Sequence, residues 1–92
     1  DPGMGFFLGS NPESSIYVLK NITRLKEYFN LPILVSVSRK SFLGTIVGRE
    51  VNERGSATLA AEIYLSLQGV DYIRTHDVRA LSDALKVFKT LI

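Results

Sequence analysis

Apolar positions along this chain follow two spacings. Ile16, Leu19, Ile22, Leu25 and Phe29 recur at helical intervals, whereas Ile33-Leu34-Val35-Ser36-Val37 and Val70-Asp71-Tyr72-Ile73 are short runs rich in β-branched residues. The first set predicts a helix with one buried stripe, and the two runs predict buried strands over 33–37 and 70–74. Punctuation supports this. Asn11 is placed to cap the first helix, Pro12 suits its first position and Glu13 the positive end of its dipole, while Asn30 and Pro32 bracket its end. Residues 41–47 predict a short helix that closes at Gly48. The polar stretch from Arg49 to Arg54 predicts a surface loop or the lead-in to the next helix. That helix is capped by Asn52 or Ser56 and runs through Ala57, Leu59, Ala60, Ile63 and Leu67 to Gly69, a suitable residue just past a helix end. The last helix starts at Asp77 and places Val78, Leu81, Leu85 and Phe88 on one face.

The order is therefore tip, helix, strand, helix, strand, helix, with short connections. This is an α/β pattern, in which crossover helices join parallel strands. No linker divides the chain, so residues 1–92 read as one partial domain. The chain opens on Asp1-Pro2-Gly3, a strand-end turn with no strand before it, and we expect a fragment of a longer fold. Two strands and a strand tip cannot bury both faces of a sheet, so poor stability is expected of the segment alone. Residues 1–11 are rich in Gly and aromatic side chains and read as a loop able to approach a ligand closely.

Composition narrows the classes. Hydrophobic and charged contents of 46% and 22% are ordinary for a globular protein. A net charge of +2 gives no general nucleic-acid footprint. The lack of Cys excludes disulfides and Cys-ligated metals and suits a cytoplasmic location. No apolar stretch approaches the roughly 20 residues of a membrane span. Glu13, Glu27, Glu50, Glu53 and Glu62 show no paired-acid or metal-ligand spacing, so no metal ligand is expected within this segment.

The candidate chemistry lies at two basic tips. Ser38-Arg39-Lys40-Ser41 follows the first strand and Arg74-Thr75-His76-Asp77 the second. Cations at the carboxyl ends of parallel strands are well placed for an anionic ligand. Arg74 can fork onto phosphate oxygens or stack on a flat ring, and His76 can donate to a phosphate or shuttle a proton. A surface Arg beside a capping His is the plainer account of the same residues. Lys40 can donate to a carbonyl or ring nitrogen, and Ser41 can cap a short helix; a solvated basic turn is the alternative. Asp1 can accept from amidine-like N–H groups of a heterocycle, or simply open a turn. Phe6 and Phe7 can wall an aromatic pocket or fill core.

Asp1-Pro2-Gly3-Met4-Gly5-Phe6, then Ser38-Arg39-Lys40-Ser41-Phe42-Leu43-Gly44, then Ile73-Arg74-Thr75-His76-Asp77-Val78, in this order and spacing, resemble dihydropteroate synthase over the whole chain. The resemblance implies the C-terminal part of a TIM (β/α)8 barrel, from the tip of strand six through two further strands and three helices. It implies a transferase of folate biosynthesis that joins p-aminobenzoate to dihydropterin pyrophosphate, releasing pyrophosphate and forming dihydropteroate. By position, Asp1 and Lys40 would hold the pterin. Arg74 would stack on its ring and meet the departing phosphates with His76. Ser41 would receive the p-aminobenzoate carboxylate and Phe6 would border its ring. Lys40, Arg74 and His76 would thus carry the chemistry, with three strand tips converging on one ligand. Magnesium would be held through the pyrophosphate and by an Asn of an early loop absent from this chain. The resemblance further implies small-molecule substrates, a homodimeric full-length enzyme without nucleic-acid or membrane partners, and no activity for the segment alone.

One departure from the family pattern stands out. Family members often continue Gly-Phe-Gly-Lys after Asp-Pro-Gly, whereas here Phe6 is followed by Phe7-Leu8-Gly9-Ser10-Asn11-Pro12, which lengthens the loop and lacks the Lys. With the Ser36–Leu43 segment, this resembles the sulfonamide-insensitive, mobile-element forms, and implies a loop that admits p-aminobenzoate but obstructs the bulkier drug. Two other readings compete. A methyltetrahydrofolate-binding methyltransferase segment would need no leaving-group pair such as Arg74 and His76, and a non-catalytic pterin- or phosphate-binding module would bind without turnover.

Overall fold

The Asn11 side chain accepts the Glu13 amide at 2.9 Å and starts α1 (Pro12–Lys20). In the computed structural model, which describes residues 1–4 and 11–92, the expected long first helix is two. The Asn21 side-chain amide donates to the Tyr17 carbonyl at 2.8 Å, and its backbone leaves helical values (φ −113°, ψ 16°). A short polar side chain here competes with the helical ladder and ends α1. α2 (Ile22–Phe29) follows directly and closes on Asn30, whose φ of +51° is the left-handed conformation that Asn tolerates. The break also corrects the stripe. Leu19 and Ile22 are buried and Ile16 and Leu25 pack against them, but Phe29 is 57% exposed. It instead stacks edge-on against Tyr28 at 5.0 Å.

Strand β1 (Leu34–Val35) pairs in parallel with β2 (Tyr72–Ile73), Leu34 opposite Tyr72 and Val35 opposite Ile73. Only these pairs form a ladder, although the chain around them is extended as the apolar runs predict. Ile33, Val35 and Val37 alternate inward and are buried, while Leu34 and Ser36 are half-buried. The amides of Asp71 and Tyr72 donate to Ile33 C=O, and Arg74 N–H donates to Val35 C=O, each at 3.1 Å.

Between the strands run α3 (Ser41–Val47), a 3-10 turn (Val51–Glu53) and α4 (Gly55–Leu67); α5 (Val78–Leu91) follows β2. The described segment therefore holds five α-helices: the first expected helix is split in two, and the short helix over 41–47 and the two later ones form as expected. Gly48 (φ +68°) and Gly69 (φ +83°) end their helices in the left-handed region, as expected. The α4 cap differs from expectation. Neither Asn52 nor Ser56 caps it; Asn52 lies in the 3-10 turn, which leads directly through Arg54 into the helix. Asp77 does cap α5, accepting the Ala80 amide at 3.0 Å, but Val78 is 70% exposed and only Leu81 of its face is buried.

Helix α1 packs on α3, α3 on α4, and α4 on α5. Met4, Leu19, Ile22, Ile33, Val35, Val37, Phe42, Leu43 and Leu65 form one core cluster. The buried stripe of α4 is Thr58, Glu62 and Leu65, three positions at helical spacing, two of them polar. At the amino ends of the strands, Asp71 accepts the Ile33 amide at 2.8 Å and the Lys26 ammonium at 3.1 Å, and Lys26 also donates to the Gly69 carbonyl at 2.8 Å. The Ile33 amide and then Lys26 hold the Asp71 carboxyl below its usual range.

Two outcomes follow. Leu65→Ala removes a fully buried side chain from the cluster and is expected to cost about 2–5 kcal/mol in urea unfolding. A depressed carboxyl contributes stability that is present above its unfolded pKa and lost as pH falls through its folded one. Urea midpoints measured from about pH 6 to about pH 3 should therefore fall more steeply below about pH 4 for the native sequence than for Asp71→Asn. Equal slopes would remove Asp71 from the register lock.

Candidate functional site

Parallel pairing brings both chains out of the sheet at the same end. Val37 is buried in the core, and Ser38 after it is buried too. The Ser38 hydroxyl lies 2.6 Å from His76 Nδ1 and accepts the His76 backbone N–H at 3.1 Å. One hydroxyl thus joins the two tips and engages one ring nitrogen of His76, leaving Nε2 for a ligand.

The next residue is bent into position. Arg39 has φ +58°, a left-handed conformation unfavourable for a long side chain. Its neighbours fix it there. Arg39 N–H donates to Thr58 Oγ1 at 2.9 Å, and its carbonyl accepts Arg54 Nη1 at 2.9 Å; Arg54 Nε also donates to the Arg49 carbonyl at 3.1 Å. Gly44 makes room for this guanidinium, since a Cβ there would run into it. The bend turns Lys40 toward the second tip.

A cavity of about 610 Å³ results, lined by Ser36, Ser38, Arg39, Lys40, Val51, Arg74, Thr75 and His76. The side-chain cations of Lys40 and Arg74 have no hydrogen-bond or ion-pair partner among the described residues. Cations unpaired by folding, facing one concave space with an imidazole, suit an anion carrying a flat ring. On the other side of the same wall, a cavity of about 300 Å³ is lined by Glu62 and Asp77 among others. Burial pushes the Glu62 carboxyl up; the Thr75 hydroxyl partly offsets this and Asp77 adds to it.

Of the residues expected at the site, Lys40, Arg74 and His76 come together. Ser41 follows Lys40 at the start of α3, is exposed, and does not line the cavity. Nor does it cap that helix: the cap position is Lys40, with no side-chain cap hydrogen bond, because the bend at Arg39 starts the helix one residue after it. Asp1 lies elsewhere. Its carboxylate accepts the Gly3 amide at 2.8 Å, and it borders a cavity of about 390 Å³ with Lys26, Phe29 and Ile33, at the amino end of β1. The expected meeting of three tips is thus a meeting of two. Phe6 and the Phe7-Leu8-Gly9 insertion lie outside the described residues. Among the described residues no group of three or more His, Asp or Glu side chains is placed to hold a metal ion.

Sequence reasoning missed Ser38, Arg54, Thr58 and Glu62 as parts of this arrangement. Ser38 and His76 are 38 residues apart, and Thr58 and Arg39 are 19 apart. No local spacing carries such contacts. The one usable signal was polar residues at helical spacing, 58 and 62, on a largely apolar helix.

Comparison with known proteins places this geometry. The dihydropteroate synthase type-3 of Escherichia coli is 62% identical over 91 residues, covering 99% of this chain and 35% of that protein. The chain thus spans about a third of the length of the curated relatives it matches. Dihydropteroate synthase from Xanthomonas albilineans, solved with 7,8-dihydropteroate, superposes with a TM-score of 0.85 at 33% identity, covering 95% of this chain and 33% of that one. The same enzyme has been solved with 4-aminobenzoic acid, at 33% identity and a TM-score of 0.85 over 95% of this chain and 32% of that one. The segment is α/β and corresponds to part of a TIM (β/α)8 barrel. Residues 1–76 match the family of pterin binding enzymes, and the chain belongs to that family.

Proposed function

We propose that this chain supplies part of a dihydropteroate synthase, which condenses dihydropterin pyrophosphate with p-aminobenzoate to give dihydropteroate and pyrophosphate. The observation that carries the reading is the single cavity bearing Lys40, Arg74 and His76 at the carboxyl ends of two parallel strands. The relatives are named for this reaction, and the Xanthomonas enzyme binds its product and one of its substrates.

The chemistry asks for little beyond placement and charge. The amine nitrogen of p-aminobenzoate forms a bond to the methylene carbon of the pterin. The bond from that carbon to the diphosphate oxygen breaks, its electron pair leaves with the diphosphate, and the amine gives up a proton to solvent. Negative charge therefore grows on the leaving group, where Arg74 and His76 Nε2–H act as preorganised donors. The Arg74 guanidinium plane also stacks on the pterin, and Lys40 donates to its polar edge. No side chain forms a covalent intermediate; holding the two reactants in line supplies much of the acceleration. Ser41 and Phe6 would join the contacts to p-aminobenzoate, whereas Asp1, at the amino end of β1, takes no part in this cavity. A methyltransferase is less well supported, because it needs no paired guanidinium and imidazole beside the ring site, and a non-catalytic binding module because the relatives are named for a reaction.

Magnesium is part of this reading for the whole enzyme, carried by the diphosphate and an early-loop Asn. The described residues offer no ligand set for it, and the steps above use none of its chemistry. Residues 1–92 would form one partial domain of a homodimeric, cytoplasmic enzyme with small-molecule substrates. Among the described residues no helix is long and apolar enough to cross a membrane.

In the full protein, Arg74→Ala should lower kcat by about 10²–10³-fold, the typical loss for one preorganised donor. Steady-state assays of dihydropteroate formation measure this, and unaltered turnover would sink the assignment. We also propose sulfonamide insensitivity arising from the Phe7-Leu8-Gly9 insertion. Deleting Phe7 and Leu8 should restore inhibition by a sulfonamide at concentrations the native enzyme tolerates, with the KM for p-aminobenzoate changing little; inhibition unchanged by the deletion would refute the steric account.

A further inference from the structure

The Val37 carbonyl accepts the Lys40 amide at 3.1 Å and closes a tight turn between the first strand run and α3. Arg39 occupies the third position of that turn at φ +58°, where Gly or Asn is the usual residue. A long side chain persists there only when its surroundings over-determine the backbone, and residues held in this way gather at ligand sites. The start of α4 provides those surroundings. Thr58 Oγ1 accepts the Arg39 amide at 2.9 Å, and Arg54 Nη1 donates to the Arg39 carbonyl at 2.9 Å. The Thr58 amide in turn donates to the Arg54 carbonyl at 2.9 Å, so these two residues sit one helical turn apart. The backbone on both sides of the Arg39 Cα is therefore fixed from one place.

Arg54 does more than Thr58. Besides the Arg39 carbonyl just before α3, it donates from Nε to the Arg49 carbonyl just after that helix, at 3.1 Å. The guanidinium thus lies across α3 and ties its two ends together. Gly44 stands in the middle of α3, where glycine weakens a helix, and a Cβ there would meet Arg54 Nε, Cζ and Nη2. A left-handed Arg39, a mid-helix Gly44 and a guanidinium spent on two carbonyls have no reason within α3 alone, and they share one here. Arg54 lines neither the larger cavity nor the smaller one. What it fixes is the direction of Lys40, which follows Arg39, occupies the cap position of α3 and lines the larger cavity. Release of Arg39 from the left-handed region would rotate the chain at its Cα and swing Lys40 away from Arg74 and His76.

We propose that Arg54 is a positioning residue: by bridging the Arg39 and Arg49 carbonyls across Gly44, it holds the bend that aims Lys40 into the larger cavity. This rests on the reading that the larger cavity receives dihydropterin pyrophosphate. Arg54 does not touch that ligand. A Lys at this position would present a single nitrogen and could not span two carbonyls as the planar guanidinium does.

The test uses the full protein with Arg54→Ala, Gly44→Ala, Lys40→Ala and the Arg54→Ala/Lys40→Ala pair, and dihydropterin pyrophosphate as the probe in calorimetric titration without p-aminobenzoate. Lys40→Ala removes a charged donor and should weaken binding about tenfold, and Arg54→Ala should approach that loss by misdirecting the same ammonium. Because Arg54 acts through Lys40, adding Arg54→Ala to Lys40→Ala should cost less than about twofold more. Gly44→Ala keeps folding apart from positioning. It adds a good helix former and displaces only the flexible end of a half-buried side chain, so the melting temperature should hold while binding weakens severalfold. Native affinity in Arg54→Ala, native affinity in Gly44→Ala, or an Arg54→Ala loss as large without Lys40 as with it would each overturn the proposal. Turnover by the native protein separates the two ideas: the binding pattern intact with no dihydropteroate formed from p-aminobenzoate would sink the synthase reading and leave the role of Arg54 standing.

Discussion

Parallel register is the constraint from which the rest follows. With Leu34 opposite Tyr72 and Val35 opposite Ile73, both chains leave the sheet at one end and at the same height. A slip of one residue would reverse which side chains face the helices, exposing Val35 and Val37 and turning Ser38 away from His76. The ladder itself is too short to enforce this. The lock comes from its two ends: Asp71 bonded to the Ile33 amide and Lys26 at one, and the Ser38 hydroxyl bonded to His76 at the other. Between them, Val35 and Val37 are fully buried, so register and core select the same arrangement.

Much of the secondary structure was legible because its signals are local. Asn11, Asn30, Gly48, Gly69 and Asp77 each do at their own position what their side chain, or its absence, allows. The strands were legible as apolar runs, though the paired part is shorter than the runs. Where the reading failed, the deciding partner was elsewhere. Asn21 looked like one polar residue within a helix, and its bond to Tyr17 ends that helix. The apolar positions Ala57, Leu59, Ala60, Ile63 and Leu67 mark α4 as a helix but do not form its buried stripe, which is Thr58, Glu62 and Leu65. Thr58 is buried there as the acceptor of the Arg39 amide, and Glu62 is buried one turn further on without a hydrogen-bond partner among the described residues.

The site divides along the same line. Lys40, Arg74 and His76 were legible as uncommitted cations and an imidazole after strands, a placement that local pattern can see. How they are held was not. Arg39 in a left-handed conformation, the Arg54 guanidinium across two carbonyls, and the space left by Gly44 are products of tertiary packing. Asp1 joins the cations only through the resemblance, as a third strand tip. In the fold the Asp1 carboxylate accepts the Gly3 amide at the far end of β1.

Net charge understates what the fold does with its charges. A surplus of +2 spread over a surface would attract anions weakly and without orientation. Here Lys26 is bound by Asp71, and Arg54 by carbonyls, so neither competes for a ligand. Lys40 and Arg74 remain unpaired on one concave wall, where a ligand meets both at once. Ser38 and Thr75 both line this cavity, and Glu62 lines only the smaller one beside it. Ser38 is fully engaged, Thr75 has long contacts, and Glu62 is left without a well-formed partner. The cations that a ligand meets are thus left free by folding, and the one buried acid without a partner lines the neighbouring cavity, where it costs stability and competes for neither cation.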